Sequence, residues 1–340
     1  MLKKILIASL VSLGLAFGAS AAEVTLKIEH FLPAPAVVPK NFITPWAKKV
    51  EKESGGRIAV QIYPSMQLGG KPPSLFDQVR DGVIDIGWTL PGYTPGRFPK
   101  TEAFEMPFMP ASAEATSQAA WEYYERHLID EFSSVKVIAV HVHGPGLLHV
   151  KGNGVRKLED MRGLKIRGPT RMINNMLKSL GATPVGMPVP AVPEALSKGV
   201  IDGTVIPWEV VRPLKVHELV KTHTTFSGDR GFYTSFFVFV MNKDKYNSMP
   251  ADLKKIIDNN SGAATAKWAG RVMDEGDNPG FAAAKARGNT MVTLGPAETN
   301  RWKKASQSVI SDWVKEMKSK GVDGQALYDE AKALVAKYAK

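Results

Sequence analysis

Cysteine is absent from the 340 residues, which excludes a disulfide scaffold, a Cys-ligated zinc or iron–sulfur site and a Cys nucleophile. Blocks of one charge are missing as well. The formal net charge is +11, yet no four Lys or Arg residues stand in a row, so no nucleic-acid partner is expected. The scattered positive charge reads as a surface that attracts anions. Long apolar runs are confined to the N-terminus. Elsewhere the best candidate, residues 232–241, is interrupted by Thr234 and Ser235 and falls well short of the ~20 residues of a membrane span. Enzyme signatures are also lacking: there is no GxSxG, no GxxxxGK[ST], no HExxH, and no GxGxxG after a strand. What remains, 44% hydrophobic and 23% charged, is an ordinary globular chain long enough for two domains.

Residues 1–21 read as a signal peptide. Lys3 and Lys4 open it, residues 5–17 are apolar apart from Ser and Gly, and Ala19-Ser20-Ala21 fits the small-x-small cleavage rule. The mature chain is expected to be exported, to the periplasm of a bacterium with two membranes.

Along the mature chain, Val24, Leu26 and Ile28 alternate with polar residues as in a strand. Phe42, Trp46 and Val50 then follow a helical period that stops at Gly55-Gly56. Further strands are expected over 58–63, 83–88, 135–142 and 164–167, with helices over 74–81 and 113–132. Residues 148–155 read as a turn-rich segment. The segment 232–241, dense in Phe and Val, reads as a buried central strand. After Pro250 the pattern is helical, broken at Asn278-Pro279-Gly280 and resumed over 302–318 and 325–338. An internal echo links the two halves: Gly82-Val83-Ile84-Asp85 and Gly199-Val200-Ile201-Asp202 each follow a short helix and lead into a strand. These features predict an α/β fold of two lobes, each a mixed sheet flanked by helices, with long C-terminal helices spanning them. Lobe I is assigned residues 22–143 plus 232–271, and lobe II residues 144–231 plus 272–340.

Few side chains carry chemistry. His141 and His143 would face one side of a strand, but no nearby carboxylate completes a metal site, so no metal is expected. His30 and His149 stand at element ends, as cleft-rim donors or as ordinary loop histidines. Arg167 ends the strand over 164–166 and precedes Gly168-Pro169-Thr170. A guanidinium at the carboxyl end of a strand can grip a carboxylate with two parallel hydrogen bonds, or can simply pair with a neighbouring acid.

The chain resembles the substrate-binding proteins of TRAP (tripartite ATP-independent periplasmic) transporters. The resemblance is carried, in order, by Leu26-Lys27-Ile28-Glu29-His30, by residues 63–69 (YPSMQLG), by the two Gly-Val-Ile-Asp copies, and by residues 158–167 (LEDMRGLKIR). It implies a type II-like periplasmic binding protein, and an organic acid held by its carboxylate on Arg167 and delivered to a permease of one small and one large membrane subunit. It also implies that the chain is not an enzyme and uses no cofactor. Two features depart from the sugar-acid binders of the family. Residues 143–149 contain no second arginine, and Val205-Ile206-Pro207-Trp208 stands where those proteins place an asparagine. Unpaired sugar hydroxyls in such a pocket would each cost about 1–3 kcal/mol. A monocarboxylate with an apolar or aromatic body is therefore expected, with Trp88, Tyr93, Trp208 and Phe236 as walls and Thr89 and Thr234 as supplementary hydroxyls. The other five tryptophans are assigned to the core and the protein to a monomeric state. An exported enzyme acting on a carboxylate, or a receptor serving a sensor kinase, stands as the alternative.

Overall fold

The computed structural model describes residues 22–339, so the expected signal peptide lies outside the described residues. Among these, eleven strands form two sheets. The first holds β1 (Val24–His30), β2 (Ile58–Tyr63), β3 (Ile86–Thr89), β4 (Val135–Val142) and β10 (Phe236–Asn242), in the order β2-β1-β3-β10-β4. The second holds β5 (Leu147–Val150), β6 (Lys165–Gly168), β7 (Thr183–Gly186), β8 (Gly203–Ile206), β9 (Thr222–Phe226) and β11 (Thr290–Leu294), in the order β11-β9-β5-β8-β6-β7. Both are mixed. β1 runs parallel to β2 and β3 while β10 is antiparallel to β3 and β4; β6 runs parallel to β7 and β8 while β5 is antiparallel to β8 and β9.

The antiparallel strands mark where the chain changes lobe. It leaves the first sheet between β4 and β5 and returns to it between β9 and β10. The chain crosses a third time between β10 and β11, but the first two crossing segments lie side by side: Gly146 N donates to Tyr233 O (2.9 Å), and a Cβ at Gly146 would stand 2.0 Å from the Tyr233 ring. Only glycine admits that approach.

The internal echo is reproduced bond for bond. Gly82 and Gly199 take φ of 73° and 71°. Asp85 Oδ2 accepts from Lys27 N and Asp202 Oδ2 from Lys165 N, each at 2.8 Å. In both lobes the aspartate thus ties the start of one parallel strand to its neighbour, which explains the residue type at that place.

Three local expectations are corrected. Residues 148–155 are not all turn, because Leu147–Val150 is the central β5 of the second sheet. Asn278-Pro279-Gly280 does not break the helix, which runs unbroken over Ala263–Ala286. Proline removes one backbone donor, but packing on the helix Ala113–His127 and on β4 holds the helix together. The expected helix over 302–318 is two, Pro296–Ala305 and Gln307–Ser319, meeting at Ser306. The last helix, Gly324–Tyr338, packs against Ala113–His127, where Tyr338 Oη donates to Glu122 Oε2 (2.6 Å). The C-terminal stretch assigned to lobe II thus ends on the helical layer of the first sheet. No helix among the described residues is long and apolar enough to cross a membrane.

Candidate functional site

A narrow cavity lies between the lobes. It sits at the carboxyl ends of β1, β3, β6 and β8, where open α/β sheets bind ligands. Lobe I supplies Phe31 and Leu32 after β1, Trp88 from β3, and Leu90 and Tyr93 from the turn that follows. Lobe II supplies Arg167 from β6, Val189, and Ile206, Pro207 and Glu209 from the end of β8. His143 and Tyr233, from the two crossing segments, close the circle together with Ser235 and Phe237.

Arg167 is 1% exposed. Its Nε donates to Met187 O (2.8 Å) and its Nη1 to Val205 O (3.3 Å), which orients the guanidinium, while Nη2 has no hydrogen-bond partner. No carboxylate forms an ion pair with it among the described residues; the groups acting on its charge are the phenols of Tyr93 and Tyr233. Burial lowers its pKa, but a guanidinium stays protonated in any protein. A buried cation without a counter-charge carries a desolvation penalty of several kcal/mol, and an anion entering the cavity relieves it. Tyr93 Oη accepts from Val189 N across the lobes (3.1 Å), and burial raises its pKa, so it stays neutral beside the guanidinium.

The rest of the wall is aromatic. The Trp88 ring is stacked between Phe31 (centroids 4.8 Å) and Phe237 (4.9 Å). Its Nε1 donates to His141 Nε2 (2.8 Å), and burial lowers His141 to about 4, leaving the neutral imidazole that can accept. His143, lowered to about 3 by burial, donates from Nδ1 to Gly144 O (2.5 Å); it faces the cavity as a neutral ring.

Of the residues expected from the sequence to hold the ligand, Arg167, Trp88 and Tyr93 line the cavity and the others do not; His143, weighed there only as a metal ligand, lines it as well. Phe236 packs on Phe104, whereas Phe237 lines the cavity, because adjacent strand residues face opposite sides of the sheet. Trp208 turns away onto His149, His223 and Phe281. Its turn is pressed against the helix Ala263–Ala286 so closely that a Cβ at Gly280 would stand 1.9 Å from Trp208 O. His149 is buried behind β8, bonded to His223 Nδ1 (2.6 Å) and Ile206 O (3.1 Å). Thr89 bonds Pro72 O (3.4 Å), Thr234 bonds His143 O (2.8 Å), and His30 is buried with neither ring nitrogen partnered. Sequence reasoning missed Phe31, His143, Glu209, Tyr233 and Phe237. Strand parity could have exchanged Phe236 for Phe237; the others come from turns and crossing segments with no periodic signal.

Residues 28–316 match the family described as bacterial extracellular solute-binding protein, family 7 (DctP). The chain belongs to this family. A TRAP solute binding protein from a marine metagenome, specific for aromatic acid ligands and solved with 3-hydroxybenzoate, is 53% identical, with 94% of this chain and 100% of that one covered and a TM-score of 0.92. One from Rhodoferax ferrireducens T118, solved with copurified benzoate, is 50% identical over 93% of this chain and 98% of that one, with a TM-score of 0.91. One from Bordetella bronchiseptica, with bound (R)- and (S)-mandelate, is 29% identical over 92% and 99%, with a TM-score of 0.85. The protein is thus a TRAP substrate-binding protein, an extracytoplasmic receptor rather than an enzyme, and works with TRAP membrane subunits.

In this TRAP receptor, charged contacts bridge the lobes beside the cavity. Thr170 Oγ1, just past β6, donates to Glu105 Oε2 (2.6 Å) in lobe I. Arg171 forms a bidentate pair with Glu102 (2.5 and 2.6 Å) and a second with Glu316 (both 2.9 Å). β6 carries Arg167 and leads directly into these two residues, so the buried guanidinium and the interlobe contacts lie on one short stretch of chain.

Proposed function

We propose that this receptor captures an aromatic monocarboxylate in the periplasm, after removal of residues 1–21, and hands it as a monomer to a permease built of one small and one large membrane subunit. The ligand carboxylate takes up the unpartnered Nη2 of Arg167, with Tyr93 beside it, and the ring lies against Trp88, Phe31 and Phe237. Burying a ring of about 150 Å² is worth roughly 4 kcal/mol at ~25 cal/mol per Å². The observation that carries this reading is the buried Arg167 guanidinium, which has no carboxylate partner among the described residues and stands in a mainly aromatic and aliphatic wall, where His143, Ser235 and Glu209 are the other polar side chains besides the phenols. Such a wall has few groups for the hydroxyls of a sugar acid. The 50–53% identical receptors carrying benzoate or 3-hydroxybenzoate support the same ligand class. Closure follows from ligand contacts made only when the lobes meet, the general logic of hinge-bending receptors.

The test is a thermal-shift and calorimetric panel on the mature protein: benzoate-type acids, a branched aliphatic acid, a dicarboxylate and a polyhydroxylated sugar acid. Tightest binding of an aromatic monocarboxylate is expected. A sugar acid that bound more tightly would overturn the ligand class, and failure of every acid would overturn the receptor site itself.

A further inference from the structure

Arg167 serves one end of a ligand, but the cavity holds another polar side chain that its walls leave unsatisfied. Glu209 lies in the turn Trp208–Val210 just past β8, lines the cavity and is 2% exposed; its Oε2 has no hydrogen-bond partner. The turn is fixed from behind. Glu209 N donates to Asp277 Oδ1 (2.9 Å), and a Cβ at Gly276 would stand 3.0 Å from the Glu209 Cβ, so the backbone cannot retreat toward the helix Ala263–Ala286. Among the described residues no cation pairs with Glu209. Arg167 comes from β6 and Glu209 from the turn past β8, and both line the same cavity. Burial, reinforced by Asp277, raises the Glu209 pKa well above the ordinary carboxylate value. The side chain is therefore a neutral carboxylic acid with one O–H to donate and a carbonyl oxygen to accept.

We propose that Glu209 is a specificity-determining residue of the cavity, whose carboxyl group hydrogen-bonds a hydroxyl on the ring of an aromatic acid anchored at Arg167, so that ring-hydroxylated monocarboxylates are preferred over unsubstituted ones. This rests on the reading of Arg167 as the carboxylate anchor. An unsubstituted ring entering the cavity strips water from the Glu209 carboxyl and returns nothing, whereas a phenolic hydroxyl can both donate to it and accept from it. Leaving one buried polar group unpaired corresponds to a discrimination of roughly 5- to 150-fold.

The experiment is calorimetric titration of the mature protein with benzoate and with 2-, 3- and 4-hydroxybenzoate, for wild type, Glu209→Gln, Glu209→Leu and Glu209→Met. The readout is the ratio of the benzoate Kd to that of the best hydroxybenzoate, which a general loss of packing would leave unchanged. A ratio of at least ~5 is expected in the wild type. It should survive in Glu209→Gln, which keeps a donor and an acceptor in the same volume, and fall to near one in both apolar variants. Two apolar side chains of different shape guard against one of them failing to fold. Benzoate binding as tightly as every hydroxybenzoate in the wild type would overturn the proposal while leaving the Arg167 anchor standing, as would a ratio unchanged in Glu209→Leu and Glu209→Met. Binding of none of the four acids would instead overturn the anchor reading on which the proposal depends.

Discussion

Replacing Arg167 by methionine separates a ligand anchor from a structural arginine. The guanidinium makes two hydrogen bonds, to Met187 O and Val205 O, and no ion pair among the described residues. Its loss forfeits those two bonds, about 1 kcal/mol net each, but also removes a buried charge whose desolvation costs several kcal/mol. Methionine is long, unbranched and apolar, and fills the same channel. The ligand-free variant should therefore unfold within a few degrees of the wild type. With ligand the balance reverses, because the carboxylate would be buried against a thioether. Breaking a buried pair in this way costs about 3–5 kcal/mol, so Kd should rise by roughly 150- to 5,000-fold. At 100 Kd a ligand stabilises the native state by about 2.7 kcal/mol, a shift of several degrees. At the same ligand concentration the variant should show almost none. Differential scanning fluorimetry with and without an aromatic acid, checked by calorimetry, measures both quantities. A variant that melts far lower without ligand yet keeps the wild-type ligand shift would refute the reasoning, because the guanidinium would then be holding the fold rather than the ligand.

Further outcomes follow from the cavity and its rim. Phe237→Leu should weaken aromatic-acid binding by about 0.5–1.5 kcal/mol or more, through loss of the stacked wall at Trp88, while Phe236→Leu should leave affinity nearly unchanged; calorimetry on the pair checks the assignment of faces. Arg171→Ala strips the cation from Glu102, whose side chain is only 5% exposed. Discounted for the partial exposure of Arg171, the cost to the closed form is about 1–2 kcal/mol, read as a ~10-fold weaker Kd and a larger radius of gyration with ligand present in small-angle scattering. Burial raises Glu105 from 4.5 to about 8. A folded-state value above the unfolded one gives stability that is present at low pH and lost as pH rises, by up to about 1.4 kcal/mol per unit until the group ionises. Urea unfolding between pH 6.5 and 8 should therefore fall less steeply in Glu105→Gln than in the wild type, and equal slopes would show that the burial of Glu105 does not govern its ionisation.

The sequence by itself determined the order of β1 to β4 in the first lobe, the pairing of the two Gly-Val-Ile-Asp turns, and the place of Arg167 at the end of a strand that faces the cavity. All three are written in local terms: a period of two or 3.6, a glycine that takes positive φ, an aspartate capping the neighbouring strand, a basic residue at the end of a strand. The strands β7, β9 and β11 escaped notice because Thr183–Gly186, Thr222–Phe226 and Thr290–Leu294 are short and rich in Thr, with Pro184 on an edge strand and His223 buried against His149. Such segments become strands only when a neighbour offers a ladder. Trp88 and Tyr93 were legible as walls because they stand in and just past β3, a strand expected over 83–88 and found over Ile86–Thr89. Phe236 and Phe237, by contrast, differ by one residue, and only pairing with β3 and β4 fixes which of them faces the cleft. Trp208 and Glu209 were decided later still. Whether the indole or the carboxyl reaches the ligand depends on a turn wedged between β8 and a helix from a different part of the chain, at Gly276, Asp277 and Gly280. Those contacts are separated from the turn by more than sixty residues, and no window of local sequence contains both sides of them.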